Sequence, residues 1–71
     1  MNLIVEFDRE EDGRWIADVP AVPGVMVYGG TRDEALTKVQ ILALHVIADA
    51  IEQGELQPEP SITFEIPTEP A

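Results

Sequence analysis

Residues Val19 to Ala35 read VPAVPGVMVYGGTRDEA, and they decide the fold because a turn, a strand and a helix start follow one another within them. Pro23-Gly24 has the residues of a type II turn, with φ fixed at the proline and positive φ admitted at the glycine. Val25 to Tyr28 is β-branched and aromatic, as a strand requires. Gly29-Gly30 lets the chain turn sharply. Thr31-Arg32-Asp33-Glu34 then follows the S/T-x-x-E capping-box pattern, which has Thr31 accepting from the amide of Glu34 and Glu34 reaching back to the amide of Thr31. A long helix is expected to begin there.

Upstream of this stretch, Asn2 to Asp8 alternate, with Leu3, Val5 and Phe7 on one side and Asn2, Ile4, Glu6 and Asp8 on the other, the period of a half-buried strand. Arg9 to Gly13 is a polar loop ending in the turn signal Asp12-Gly13. Trp15 to Val19 is a second strand whose odd positions, Trp15, Ala17 and Val19, match the odd face of the first. Pro20, which has no amide donor, ends its ladder. With short connections, the first three strands form an antiparallel meander.

Downstream, Thr31 to Gln53 has a period near 3.6 residues and Gly54 stands at the C-terminal stop position. Ala35, Leu36, Val39, Leu42, Ala43, Val46, Ile47 and Ala50 form one broad stripe, expected to cover the odd face of the sheet. A second stripe, Ile41, Leu44, Ala48 and Ile51, lies to one side, and Lys38, His45, Asp49 and Glu52 make up the polar remainder. One sheet needs only one apolar helix face, so the second stripe asks for another cover: self-association, a partner, or a wrap by the C-terminal segment. Pro58 and Pro60 make 55–60 an extended connector. Ser61 to Ile66 alternates Ile62, Phe64 and Ile66 against Ser61, Thr63 and Glu65, a fourth strand that can lie parallel to a neighbour because the helix returns the chain across the sheet. The expected fold is α+β with element order βββαβ, residues 1–66 forming one domain and 67–71 a flexible tail.

Seventy-one residues bury only about 60% of the unfolded surface, so oligomerisation or a partner is the available source of further burial. There are no cysteines and one histidine, which removes disulfides and makes structural zinc implausible. Fourteen acidic residues against four basic give a net charge of −10, which argues against direct nucleic-acid binding. The acidity reads either as solubility or as complementarity to a basic partner. With neither a secretory signal nor an apolar run of membrane-spanning length, a cytoplasmic protein is expected.

Few residues suggest chemistry. Glu6, Asp8 and Asp18 are the carboxylates placed to converge on one sheet face, but without histidine or asparagine beside them they read as solvated surface rather than a metal site. His45 has no serine, cysteine or aspartate at a motif spacing and reads as a surface histidine. Gly29-Gly30-Thr31 precedes a helix but lacks the lysine and longer glycine pattern of a phosphate loop, so capping is its reading. No catalytic, cofactor or metal residue is assigned. More informative is the even sheet face, where Ile4, Ile16, Met26 and Tyr28 would form an apolar patch beside Glu6 and Asp18, an interface candidate.

The ordered set Gly13-x-Trp15-x-Ala17-x-Val19-Pro20-x-x-Pro23-Gly24, then Gly29-x-Thr31-x-x-Glu34-Ala35, resembles the N-terminal domain of the HicB antitoxin family, the neutralising half of HicA/HicB toxin–antitoxin pairs. Asp12 and Ile16 also match. Val22, where a leucine is common, and Gly30, where a polar residue is usual, depart from the pattern. The resemblance implies a βββαβ domain like a truncated RNase H fold without that enzyme's activity. It also implies binding to HicA, a small basic ribonuclease that cleaves messenger RNA. Many members continue into a ribbon-helix-helix or helix-turn-helix domain, and this chain stops at Ala71, so the expectation is a short form without operator binding. The expected function is a non-enzymatic, homo-oligomeric antitoxin. Its interface candidates are Ile41, Leu44, Ala48, Ile51, Ile4, Ile16, Met26 and Tyr28, and its acidic contacts are Glu6, Asp18, Asp49 and Glu52. The alternative is a stand-alone homo-oligomeric binding module with no toxin. A degenerate nuclease using Asp8 is a third reading of lower weight.

Overall fold

The computed structural model describes residues 1–68. Its elements are β1 (Asn2–Ile4), β2 (Glu6–Arg9), β3 (Trp15–Asp18), β4 (Met26–Gly29), α1 (Arg32–Glu52) and β5 (Thr63–Glu65). The fold is α+β, as the alternation and the helical period predict. β2, β3 and β4 form an antiparallel meander, and β5 lies parallel to β1.

The expected first strand is present as two pieces because the chain changes partners at Val5. β1 pairs with β5, and the Val5 amide still donates to the Glu65 carbonyl at 2.9 Å. From Glu6 onward the ladder is with β3. Side-chain alternation runs through the break: Leu3 and Val5 are buried, Phe7 is half-buried, and Ile4, Glu6 and Asp8 are exposed.

Between β2 and β3 the loop closes on Asp12-Gly13. The Glu10 amide donates to the Arg14 carbonyl at 2.8 Å, Gly13 has φ +92°, and the Asp12 carboxylate accepts from the Arg14 amide and Nε. The turn at Pro23-Gly24 has the type II form: Val25 donates to the Val22 carbonyl at 3.2 Å across it, and Gly24 has φ +82°.

α1 begins where the capping pattern places it. Thr31 is extended, and its Oγ1 accepts from the Glu34 amide at 3.0 Å. The return half of the box differs from expectation. The Glu34 carboxylate pairs instead with Lys38 one turn on, at 3.1 Å. At the far end Gly54 has φ +78°, Glu55 donates to the Ala50 carbonyl and Gly54 to that of Ile51, a Schellman closure.

The core lies between α1 and the odd sheet face. Ala35, Val39, Ala43 and Ile47 of the helix meet Leu3, Val5, Ala17, Val19 and Val25, all buried. Gly29 is required here by space rather than by φ. A Cβ built on it would lie 2.6 Å from the Ala35 nitrogen and 2.9 Å from its Cα, so the first turn of α1 sits directly on the end of β4. Ile62 and Phe64 join the core edge, whereas Ile66, expected on the same side, is 42% exposed because β5 ends at Glu65. Of the segment expected to be a flexible tail, Pro67 accepts a hydrogen bond from the Arg32 guanidinium through its carbonyl, and 69–71 lie outside the described residues.

Gly29→Ala therefore costs about 1–3 kcal/mol by overpacking against helix backbone, whereas Gly30→Ala, whose nearest contact would be the Glu34 carboxylate at 3.7 Å, is mild. Thr31→Ala costs about 1 kcal/mol. Urea unfolding of the three variants checks the order.

Acid sensitivity follows from two exposed carboxylates held below their ordinary values, Glu34 by Lys38 and the Gly30 amide and Asp12 by the Arg14 amide and guanidinium. A carboxylate depressed in the folded state stabilises the fold above its unfolded value, and that contribution disappears as pH falls through the folded value. The loss begins near the ordinary values, 4.5 for Glu34 and 3.8 for Asp12, and continues below them. In thermal unfolding followed down in pH, Glu34→Gln and Asp12→Asn should each flatten the acid limb. An acid limb identical to that of the parent chain would rule these contacts out.

Candidate functional site

With α1 covering the odd face, the even face of the meander is left open. The register places Glu6 opposite Asp18 and Asp18 opposite Met26 in one row, and Asp8 opposite Ile16 and Ile16 opposite Tyr28 in the next. Ile4 and Met26 are each 54% exposed and Tyr28 40%, with Ile16 half-buried among them. The structure thus brings together the four apolar residues and the carboxylates Glu6, Asp8 and Asp18 that the strand period assigns to this side. At one edge the Arg14 guanidinium lies 4.7 Å from the Tyr28 ring centroid while paired with Asp12 at 2.8 Å. This face presents apolar area with carboxylates standing in the same rows.

The outer side of α1 is a second surface. Ile41 and Leu44 are 53% and 44% exposed, and with His45 and Ala48 they line a shallow depression of about 360 Å³. Asp49 and Glu52 are exposed nearby on the same helix. Ile51 behaves differently from its stripe mates: it is half-buried and packs against the core, because the Schellman closure brings the chain back beneath the last turn.

A third feature escapes the reading of periodicity. Phe7, Asp8, Arg9, Trp15, Arg32, Pro67 and Thr68 line a groove of about 400 Å³. Phe7 and Trp15 meet edge to face, with centroids 6.2 Å apart and planes at 86°. The Arg32 guanidinium lies 4.3 Å from the Phe7 centroid, and that of Arg9 lies 4.9 Å from that of Trp15. The odd-face period places Phe7 and Trp15 against the helix, but they sit at its margin and remain half-exposed. The register, which sets Arg9 opposite Trp15, and the reach of Arg32 to Phe7 make the groove, and neither is written in a local spacing. Among the described residues no three histidine or acidic side chains lie close enough to hold a metal ion, and no helix is long and apolar enough to cross a membrane.

These features define a small α+β domain in which one helix covers one sheet face and leaves the other open. No family model matches the chain. No solved structure matches it. Among curated proteins it is similar to the UPF0150 protein Ta0767 of Thermoplasma acidophilum, with 38% identity over 40 residues. The match covers 56% of this chain and spans 58% of the relative's length.

The helix surface yields a contrast in stability. Ile51→Glu places a charge against the core and costs about 1–3 kcal/mol, whereas Leu44→Glu, on an exposed side chain, stays within about 0.5 kcal/mol for the isolated subunit. Chemical denaturation at high dilution separates the two.

Proposed function

We propose that the chain is a non-catalytic, HicB-like antitoxin that binds and neutralises a small basic mRNA-cleaving toxin of the HicA type in the cytoplasm. The observation that carries this reading is the even sheet face, where exposed Met26 and Tyr28 and half-buried Ile16 share two cross-strand rows with Glu6, Asp8 and Asp18, and exposed Ile4 on β1 lines a depression with the same three carboxylates. Apolar area supplies association energy, and surrounding carboxylates select a basic partner and raise its encounter rate. The net charge of −10 acts in the same direction. The likeness to a UPF0150 protein, from a family that includes HicB-like small proteins, supports the reading. On this reading the chain needs no cofactor and acts by occlusion.

A second reading is a stand-alone homo-oligomeric binding module. It is favoured by the outer helix depression, whose lining of Ile41, Leu44, His45 and Ala48 contains no carboxylate. In so acidic a chain, self-contact meets least like-charge repulsion there.

Co-expression with a small basic toxin encoded beside the gene tests the first reading. The parent chain restores growth and co-purifies with the toxin, and the double variant Glu6→Lys/Asp18→Lys loses both while keeping its fold. If no such toxin is encoded nearby and none is captured, the antitoxin reading fails. Light scattering tests the second: Leu44→Glu lowers the mass if the helix carries the self-contact, whereas a loss of mass with Met26→Glu alone moves that contact to the sheet.

A further inference from the structure

The groove at the start of α1 is built from cations in a chain that has few of them. Of its four basic side chains, Arg14 and Lys38 are paired with Asp12 and Glu34 at 2.8 and 3.1 Å. Among the described residues Arg9 and Arg32 have no carboxylate partner, although acidic residues outnumber basic ones fourteen to four. Both line the same groove. Each is held in place by a ring face and by one backbone carbonyl: Arg9 over Trp15 and on the Gly13 carbonyl at 3.3 Å, Arg32 over Phe7 and on the Pro67 carbonyl. Those contacts fix the guanidinium planes and leave most of their five N–H donors unused.

Between the two arginines lies the Phe7–Trp15 pair. Among the described residues the one acid of the lining, Asp8, accepts the Arg9 amide through Oδ1 at 2.8 Å. Two cations against one acid make this a positive spot on a strongly negative molecule. A groove of about 400 Å³ with an apolar aromatic wall and a few fixed polar groups has the size and make-up of a small-molecule site. Guanidinium forks match the planar oxygens of carboxylate and phosphate, and ring edges match a flat body.

We propose that this groove binds a small planar anion, an aromatic ring system bearing a carboxylate or a phosphate, with Arg9 and Arg32 holding the anion and Phe7 and Trp15 packing against the ring. The proposal does not rest on the antitoxin reading, since Arg9, Arg32, Phe7 and Trp15 are not used there; Asp8 alone stands at the border of both areas.

Trp15 is the only tryptophan and lines the groove, so its fluorescence and its indole N–H resonance report occupancy directly. The full chain is titrated with adenosine monophosphate and with phenylacetate, alongside the neutral adenosine and phenylacetamide. The expected result is a saturable change with at least one anion, at a Kd of about 1 mM or tighter, and at least about tenfold weaker binding of its neutral counterpart. A preference for the nucleotide assigns the site to phosphate, and a preference for phenylacetate to carboxylate. Arg9→Gln and Arg32→Gln each weaken the anion about tenfold. Arg32→Lys, which keeps the charge and the helix start but not the fork, gives an intermediate loss. The proposal is overturned if neither anion perturbs Trp15 up to about 10 mM, if the neutral compounds bind equally well, or if the folded Arg9→Gln/Arg32→Gln variant keeps its affinity.

Discussion

The structure depends on how closely the first turn of α1 sits on the end of β4. Gly29 and Ala35 meet with no room for another carbon between them, so helix and sheet approach through their smallest residues. Ala17 and Ala43 are fully buried in the same core, and Val39 is one of its largest fully buried side chains. A bulkier residue at Gly29 would lift the helix start off the sheet and open this contact from its end. Close seating there also sets Arg32, the first helical residue, above Phe7.

The second constraint is the change of partner at Val5. One continuous extended segment serves two neighbours, β5 on one side and β3 on the other. This draws the C-terminal segment back beside β1 rather than over the helix, which answers the question of what covers the outer helix stripe: Ile41 and Leu44 keep their exposure, while Ile51 is taken into the chain's own core. The even sheet face likewise receives no cover from the described residues. An acidic domain with two open apolar areas results, one edged by carboxylates and the other lined without them.

Much of this was legible locally. Alternation in 2–8 and 15–19 identifies which side chains face the helix, because a strand's period of two is strict. Thr31 and Gly54 mark the helix ends because capping is an interaction among neighbours. The even-face set of Ile4, Ile16, Met26 and Tyr28 with Glu6 and Asp18 emerged intact for the same reason. Less legible were Ile51 and Ile66. Their periodic positions are correct, but burial at an element's end depends on where the chain goes next. The return contact of Glu34 also differs: its exposed carboxylate pairs with Lys38, because a flexible side chain at i takes the cation at i+4.

The groove was beyond local reading altogether. Arg32 reaches Phe7 and Pro67, residues far from it in the chain, and no spacing rule connects them. By itself the sequence determined the α+β element order, the helix limits, the two faces of each strand and the excess of negative charge, since each is set by a residue and its near neighbours. Only the tertiary structure decided which apolar faces stay open, where the first strand exchanges partners and that two of the four cations share one aromatic-lined groove. Those outcomes depend on the distance between elements, which is fixed by packing at Gly29 and Ala35 and by the pairing of β5 with β1.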